Sequence, residues 1–473
     1  MGRRISPATV RRSLSAHSGI GLVVGALMYL ICLTGTLVVF FEEFERWEQP
    51  QVTENTDYSG SQIDAAIANF LKQSASLPET VYVVLPSVAM PRLHLSAGDE
   101  EWFVDADGTL GIRSEARWTR MLQSLHIQLH LPTVPGVIFV GALGVFLCSL
   151  IFSGLLAHPT IVRDAFRLRT GGAGRLAKVD LHNRLSVWGL PFHLMIALTG
   201  AFLGLVSLFY AGVAETFHDG DREQVFAQMY GSDPVVFVQE AVSPDVDSAL
   251  RSLALVDPKA EPMYVALMHP GTRRQYVEIA ARVPRRLIYS EIYRFTSAGE
   301  YMNRQALSDG PRGRQVAYSV YRLHFGNFAG LWVKLLYGLM GLALTAICVT
   351  GVNIWLAKRA YRSAVNDLWA GFVWGAPLAL SVAASGALLG VTPLPVFALG
   401  LFTACLLGVI LQDERKTARW LVWALAGGLA AVAVIHLARF GIQTQTGATG
   451  WVNGTLIAVA LVAAVLGAGL RGR

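Results

Sequence analysis

The sequence predicts a mainly α, polytopic membrane protein: a duplicated transmembrane helix-pair core, two small α+β extracytoplasmic modules, and four extra C-terminal membrane helices. Three observations predict it. Of 473 residues, 53% are apolar and only 15% charged, and the mean hydropathy is +0.45, values of a chain that faces lipid over much of its length. Eight apolar runs are long enough to cross a bilayer, near 18–41, 136–157, 185–211, 328–357, 367–389, 394–411, 419–438 and 451–470. Two stretches also repeat one another: His17 stands 17 residues before Thr34-Gly35, and His182 stands 17 residues before Thr199-Gly200.

These runs divide the chain into six parts. Residues 1–42 are the N-terminal tail and first span, and 43–125 a first outside module. Residues 126–212 hold the second span, a connecting segment and the third span; 213–322 form a second outside module, 323–360 the fourth span, and 361–473 the four additional spans. The first run is not read as a cleavable signal, because the acidic aromatic stretch Phe40-Phe41-Glu42-Glu43-Phe44-Glu45 follows it in place of small residues. In the first module the pattern predicts a helix over 63–71, strands over 81–85, 92–96 and 101–104, and a turn at Asp105-Ala106-Asp107-Gly108. The second repeats this order, with a helix over 235–253, strands over 263–268, 276–279 and 288–295, and a turn at Ser297-Ala298-Gly299-Glu300. Each module is short, so its sheet needs a partner surface. The last four spans are rich in Ala, Gly, Leu and Val and carry one histidine, His436. A packing annex, an oligomerisation surface and a separate conduit all suit that composition.

Cations set the expected orientation. Arg3, Arg4, Arg11 and Arg12, then Arg163, Arg167, Arg169, Arg175, Lys178 and Arg184, then Lys358, Arg359 and Arg362, then Arg415, Lys416 and Arg419, and finally Arg471 and Arg473 all fall on one side under an eight-span count. That side is the cytoplasm, with both termini in it. The net charge of +6 is thereby explained by topology, and nucleic acid is not expected as a partner. Cys32, Cys148, Cys348 and Cys405 all fall within spans, so no disulfide framework is expected and each is read as a small core residue.

The histidines carry the chemistry. A two-fold axis along the membrane normal would bring His17 and His182 face to face at the cytoplasmic leaflet. Two imidazoles converging from opposite sides suit a six-coordinate haem iron, and filling both axial positions favours electron transfer. His126 and His324 form the corresponding outer pair, standing 28 and 27 residues before Gly154 and Gly351. Lys334 and Lys358 are 24 residues apart, about 36 Å of helix. Lys334 therefore marks the outer boundary, and a straight helix would put His324 about 15 Å beyond it, at or above the membrane surface. His130 would share a face with His126 if 125–131 is helical, and is an alternative ligand or the second arm of a metal clip. His193 lies about 16 Å deeper than His182 along a helix, and its repeat counterpart is Met28. A His–Met site is one reading of that pair, and a proton or quinol contact at His193 is the other. His158 is read as interfacial, and His94, His218 and His269 as surface residues.

Leu181-His182-Asn183-Arg184, Leu190-Pro191-Phe192, Ala197-Leu198-Thr199-Gly200, Leu323-His324-Phe325-Gly326 and Leu125-His126 together resemble the PepSY-associated transmembrane proteins over about residues 10–360. These are bacterial inner-membrane proteins linked to iron and siderophore uptake, among them ferric-siderophore reductases with b-type haems. The resemblance implies two haem b groups on His17, His182, His126 and His324, with His130 and His193 as further candidates. It also implies periplasmic PepSY-like modules and an oxidoreductase acting on a ferric siderophore or other ferric chelate. Two departures stand out: the family tends to have an aromatic after His-Arg where this chain has Ala16-His17-Ser18-Gly19, and the four C-terminal spans exceed the usual core. The segment over 157–184 has no Gly-rich phosphate fingerprint, so a membrane quinol or a separate reductase is the expected electron donor. Two other classes fit the same chain: a non-enzymatic PepSY-type binding or regulatory protein, and a siderophore permease whose path would use Asp367 and His436.

Overall fold

A computed structural model describes residues 6–166, 175–232, 234 and 243–470. Arg3, Arg4, Arg167, Arg169, Arg471 and Arg473, and the first part of the helix expected over 235–253, lie outside them. In chain order the elements begin with α1 (Pro7–Val38), α2 (Phe41–Glu48), α3 (Gly60–Gln73), β1 (Thr80–Val84), β2 (His94–Ala97), β3 (Glu100–Val104) and β4 (Leu110–Arg113). Then come α4 (Arg117–Gln128), α5 (Thr133–Ala157), α6 (Ile161–Ala165), α7 (Arg175–Trp188), α8 (Leu190–Phe217), α9 (Arg222–Tyr230) and α10 (Val246–Val256). A second set of strands follows: β5 (Glu261–Met268), β6 (Tyr276–Arg282), β7 (Glu291–Phe295) and β8 (Tyr301–Arg304). The chain closes with α11 (Arg312–Phe325), α12 (Gly330–Leu356), α13 (Ala364–Leu388), α14 (Pro393–Leu411), α15 (Glu414–Phe440), a single 3-10 turn at Ile442–Thr444, and α16 (Gly447–Gly469).

Eight helices among the described residues are long and apolar enough to cross a membrane: α1, α5, α8 and α12 to α16. Each corresponds to one of the apolar runs, and the chain is a multi-pass membrane protein. Their ends follow local chemistry. Ser6 caps α1, accepting from Thr9 N at 3.2 Å, with Pro7 in the first turn where its missing N–H costs nothing. Ser363 and Asn366 form a reciprocal capping box on α13.

The chain separates into two compact units. The first comprises Met1–Pro50, Ala116–Leu205 and Leu331–Arg473; the second comprises Gln51–Glu115 and Val206–Gly330.

Within the first unit, close approach of helix backbones depends on glycine. A methyl on Gly341 of α12 would meet Thr36 Oγ1 of α1 at 2.5 Å, and one on Gly144 of α5 would meet Ala201 N of α8 at 2.8 Å. These contacts are copies: 165 residues separate Thr36 from Ala201, as they separate His17 from His182, and 197 separate Gly144 from Gly341. The duplication in the sequence is therefore a duplication of helix packing. At one end of α12, Lys334 Nζ sits 2.6 Å from Glu42 and 2.7 Å from Glu43, tying α12 to α2. The C-terminal helices α13 to α16 pack on α2 and α4 through one apolar cluster that includes Trp47, Trp118, Leu122, Leu380, Phe397, Val432 and Val452. The two polar side chains considered for a conduit there are both engaged: Asp367 pairs with Arg362, and His436 bonds to Trp47 and Asn453.

The histidine-bearing segments before the second and fourth spans do not continue those spans. α4 ends at Gln128, with Leu129 and His130 both in the left-handed region (φ 54° and 52°). α11 ends at Gly326 (φ 68°) before α12 begins. Residues 125–131 are therefore not one helix, His126 and His130 do not share a face, and the straight helix assumed between His324 and Lys334 is broken.

In the second unit the two outside modules are joined. Their strands form one eight-stranded antiparallel sheet in the order β4-β3-β2-β1-β5-β6-β7-β8, with β1 paired to β5 in register from Thr80↔Met268 to Val84↔Tyr264. Each module contributes four strands, one more than its periodicity predicts, because β4 and β8 bury no residue and so carry no alternation. The helices α3 and α10 share one core with the sheet, built from residues such as Ile63, Ile67, Val246, Leu253, Val265 and Ile279. The β1–β5 pairing joins the two half-sheets edge to edge, and α3 and α10 supply the surface that packs on a face. Gly108 (φ 81°) and Gly299 (φ 82°) close the two expected turns; a Cβ at either would collide with α3 or α10 at 2.5 Å.

Candidate cofactor site

Inside the first unit lies a cavity of about 770 Å³, lined mainly by apolar side chains of α1, α5, α7 and α12, with His17, His182 and His193 in its wall. The rings of His17 and His182 stand together in that wall, centroids 6.3 Å apart and planes crossing at 83° in an edge-on arrangement. Lys358, Arg359 and His158 line the same cavity. Arg359 is held by Ser363 at 2.9 Å and lies over the rings of Trp355 and Tyr361.

Each of the two histidines is seated the same way on a neighbouring helix. His17 Nδ1 lies 3.0 Å from the Leu150 carbonyl and 3.3 Å from Ser153 Oγ. His182 Nδ1 lies 3.2 Å from the Ile347 carbonyl and 3.1 Å from Thr350 Oγ1. A carbonyl can only accept, so Nδ1 carries the proton and, in the neutral ring, Nε2 keeps its lone pair. The glycine after each hydroxyl residue makes room: a methyl on Gly154 would stand 3.2 Å from His17 Cε1, and one on Gly351 would stand 3.3 Å from His182 Cε1.

A third histidine uses the same seat. His126 Nδ1 is 3.0 Å from the Ile31 carbonyl, over Gly35, where a methyl would come within 2.6 Å of His126 Cε1. The seat is a five-residue pattern: an aliphatic residue, two intervening residues, a hydroxyl residue, then glycine. It occurs once in each of the first four spans, at Ile31–Gly35, Leu150–Gly154, Ile196–Gly200 and Ile347–Gly351. In all four the hydroxyl donates back to the carbonyl four residues earlier: Thr34 to Leu30 at 2.8 Å, Ser153 to Ser149 at 2.6 Å, Thr199 to Met195 at 2.7 Å and Thr350 to Ala346 at 2.8 Å. These Ser/Thr-Gly pairs are the ends of the sequence repeats. The sequence relates each to the histidine that precedes its own span, whereas the structure seats a histidine from another segment on three of them, at Ile31, Leu150 and Ile347.

The remaining histidines differ. His130 donates from Nε2 to the Met121 carbonyl at 2.9 Å, turning back over the end of α4, and His193 donates from Nε2 to the Met340 carbonyl at 3.3 Å. Both therefore have Nε2 engaged, the opposite of the three seated rings. No group of three or more His, Cys, Asp or Glu side chains that could hold a metal ion occurs among the described residues. Met28 of α1 and His193 of α8 line the same cavity, and a helix break at Gly189 lies between His193 and His182. His324 belongs to the second unit, on α11, with its ring edge-on to Phe325. His126 meets α1 seven residues before that helix ends, so it lies alongside the span and not beyond it. The reason is the chain reversal at Leu129 and His130, which folds α4 back against α1.

The residues present fit an iron porphyrin at His17 and His182. An imidazole nitrogen bonds such a metal at about 2 Å and the ring centre lies roughly 1 Å behind it, so two axial imidazoles have centres about 6 Å apart. The observed 6.3 Å agrees. The apolar lining suits a flat macrocycle, and Lys358 and Arg359 suit its two carboxylates.

Comparison with known proteins returned two findings. The profile of the family described as the PepSY-associated TM region matches residues 14–358. An uncharacterized protein of Pseudomonas aeruginosa is 29% identical over 354 residues, covering 70% of this chain and 89% of the relative. The family region holds all four seats and the six candidate histidines, and stops short of α13.

Proposed function

From the premise that this chain belongs to the PepSY-associated TM family, we propose that it is a haem b-dependent electron-transfer protein of a bacterial inner membrane. In this reading it takes electrons from a membrane quinol or a separate reductase and reduces a ferric siderophore or ferric chelate on the periplasmic side. The observation that carries the reading is the close pair His17 and His182, each locked by a backbone carbonyl in the tautomer that leaves Nε2 with its lone pair. When bound, an iron porphyrin would supply one-electron redox chemistry.

The chain's own residues do the rest. His17 and His182 would hold the iron through Nε2, and Leu150, Ser153, Ile347 and Thr350 hold the ring orientation and would raise nitrogen basicity. The apolar wall limits water, and Lys358 and Arg359 offer countercharge to carboxylates. His126, in the same tautomer, is the candidate ligand of a second site about 21 Å along α1, judged from the 14 residues between His17 and Ile31. The cations flanking the spans support a reading with cytoplasmic termini and a periplasmic second unit. Ferrous iron is held more weakly than ferric iron by hard oxygen donors, so reduction would release it from the chelate.

The test is a reduced-minus-oxidised spectrum of the purified protein with a pyridine haemochrome count. The expected result is a b-type spectrum that loses one component in His17→Ala and the same component in His182→Ala. Colourless protein from haem-replete cells would end the proposal.

A further inference from the structure

The four C-terminal helices lie outside the matched family region; α13 packs on α1 and α12 around Tyr29, Leu356 and Trp369, and a second set of contacts reaches one short helix. α4 has 12 residues, marginal for a helix without packing, and its two faces meet different neighbours. One presents His126 to the Ile31 carbonyl of α1. The other, with Trp118, Met121, Leu122 and Leu125, is buried in the cluster formed with α13 and α14, and Trp118 Nε1 donates to the Leu380 carbonyl at 3.0 Å.

A second chain of contacts reaches the start of the same helix. His436 Nε2 donates to the Trp47 carbonyl at 2.8 Å, Trp47 Nε1 donates to Asn453 Oδ1 at 2.9 Å, and Asn453 Nδ2 donates to His436 Nδ1 at 3.1 Å. This closed ring ties α2 to α15 and α16, with the indole and imidazole stacked at 5.0 Å. The next residue, Glu48, accepts from Trp118 N at 2.9 Å, Thr119 N at 2.7 Å and Thr119 Oγ1 at 2.6 Å. It thus satisfies the open amides at the α4 N-terminus with a carboxylate. Burial pushes the Glu48 carboxyl above its usual range, against those donors, which favour the charged form.

We infer that the C-terminal helices brace α4 and so set where His126 stands, with Glu48, Trp118, His436 and Asn453 as positioning residues. The inference rests on the reading of His126 as a cofactor ligand. General packing would stabilise every helix alike, whereas a brace acts on residues 117–128 before it acts elsewhere.

The experiment uses the full-length protein and two readouts, amide hydrogen exchange and the optical and EPR spectra. Asn453→Ala and Glu48→Ala are expected to speed exchange over 117–128 about tenfold while α1 and α5 keep their protection. They should also shift the spectral component that His126→Ala removes and leave the one that His17→Ala removes. Glu48→Gln, which keeps one accepting oxygen, should restore both. Trp118→Phe, which keeps the ring and drops one donor, should give the same pattern at smaller amplitude, and Thr455→Ala should do nothing. Unchanged α4 exchange, or protection lost equally in α1 and α5, overturns the brace. A protein without haem but with the α4 pattern intact would refute the redox reading and leave the brace standing.

Discussion

A methyl group placed on Gly351 would stand 3.3 Å from Cε1 of His182. That spacing leaves the ring just enough room to approach the helix backbone and bond the Ile347 carbonyl. The equivalent distance is 3.2 Å at Gly154 under His17 and 2.6 Å at Gly35 under His126.

Alanine at these glycines should therefore separate the sites. Helix propensity gains about 1 kcal/mol from Gly→Ala, while overpacking costs about 1–3 kcal/mol. Gly154→Ala and Gly351→Ala, where a few tenths of an ångström suffice, should be near neutral in thermal stability with a small spectral shift. Gly35→Ala must displace His126 and should be destabilising, with the change confined to the component lost in His126→Ala. Thermal unfolding and spectra of the three variants check the order.

Ser153→Ala and Thr350→Ala remove the side-chain partner of Nδ1 but leave the backbone acceptor. Losing such an outer contact weakens metal-ligand sites by roughly 10–100-fold, and the surviving carbonyl places these variants near the lower figure. Titration of haem into apo-protein should show about tenfold weaker binding. The Ser153→Thr variant should bind as the wild type does.

Lys358 and Arg359 line the cavity that His17 and His182 share. Lys358→Ala should weaken binding of haem about tenfold without changing the binding of haem dimethyl ester, which lacks the carboxylates. Equal losses for both porphyrins would show that Lys358 serves packing alone.

The second unit should carry a pH dependence at Asp64. Its carboxylate accepts from Val246 N at 2.9 Å, but burial and the neighbouring Asp245 push its pKa up to about 6. An unfolded Asp titrates near 4, at about 3.9, so the folded state binds the proton more tightly. The stabilisation is present in full below that value and is lost as pH rises through about 6. Asp64→Asn, neutral throughout, should match the wild type in exchange protection of α3 and α10 at pH 4.5 and exceed it at pH 7.5.

Much of this architecture is legible in the chain itself. Runs of apolar residues report spans because a helix in lipid must satisfy its backbone internally, and α1, α5, α8 and α12 to α16 all fall on such runs. The matched intervals after His17 and His182 report the duplication, which returns as paired packing at Thr36 and Gly341 and at Ala201 and Gly144. The turns closed by Gly108 and Gly299 are equally local. The strands β4 and β8 escaped because they bury no residue and so carry no alternation, unlike the equally short β2.

What tertiary structure alone decided is which groups meet. The acceptor for each seated histidine is a backbone carbonyl; the Ser/Thr-Gly pattern marks Leu150, Ile347 and Ile31 as seats, but nothing local says which of His17, His182 and His126 each one takes. The left-handed residues Leu129 and His130 fold α4 back along α1 and separate His126 from His130. The pairing of β1 with β5 turns two half-sheets into one, and Trp47, His436 and Asn453, far apart in sequence, close a single ring. Local periodicity encodes an element and its buried face, while the contacts between faces arise only when the helices and strands pack.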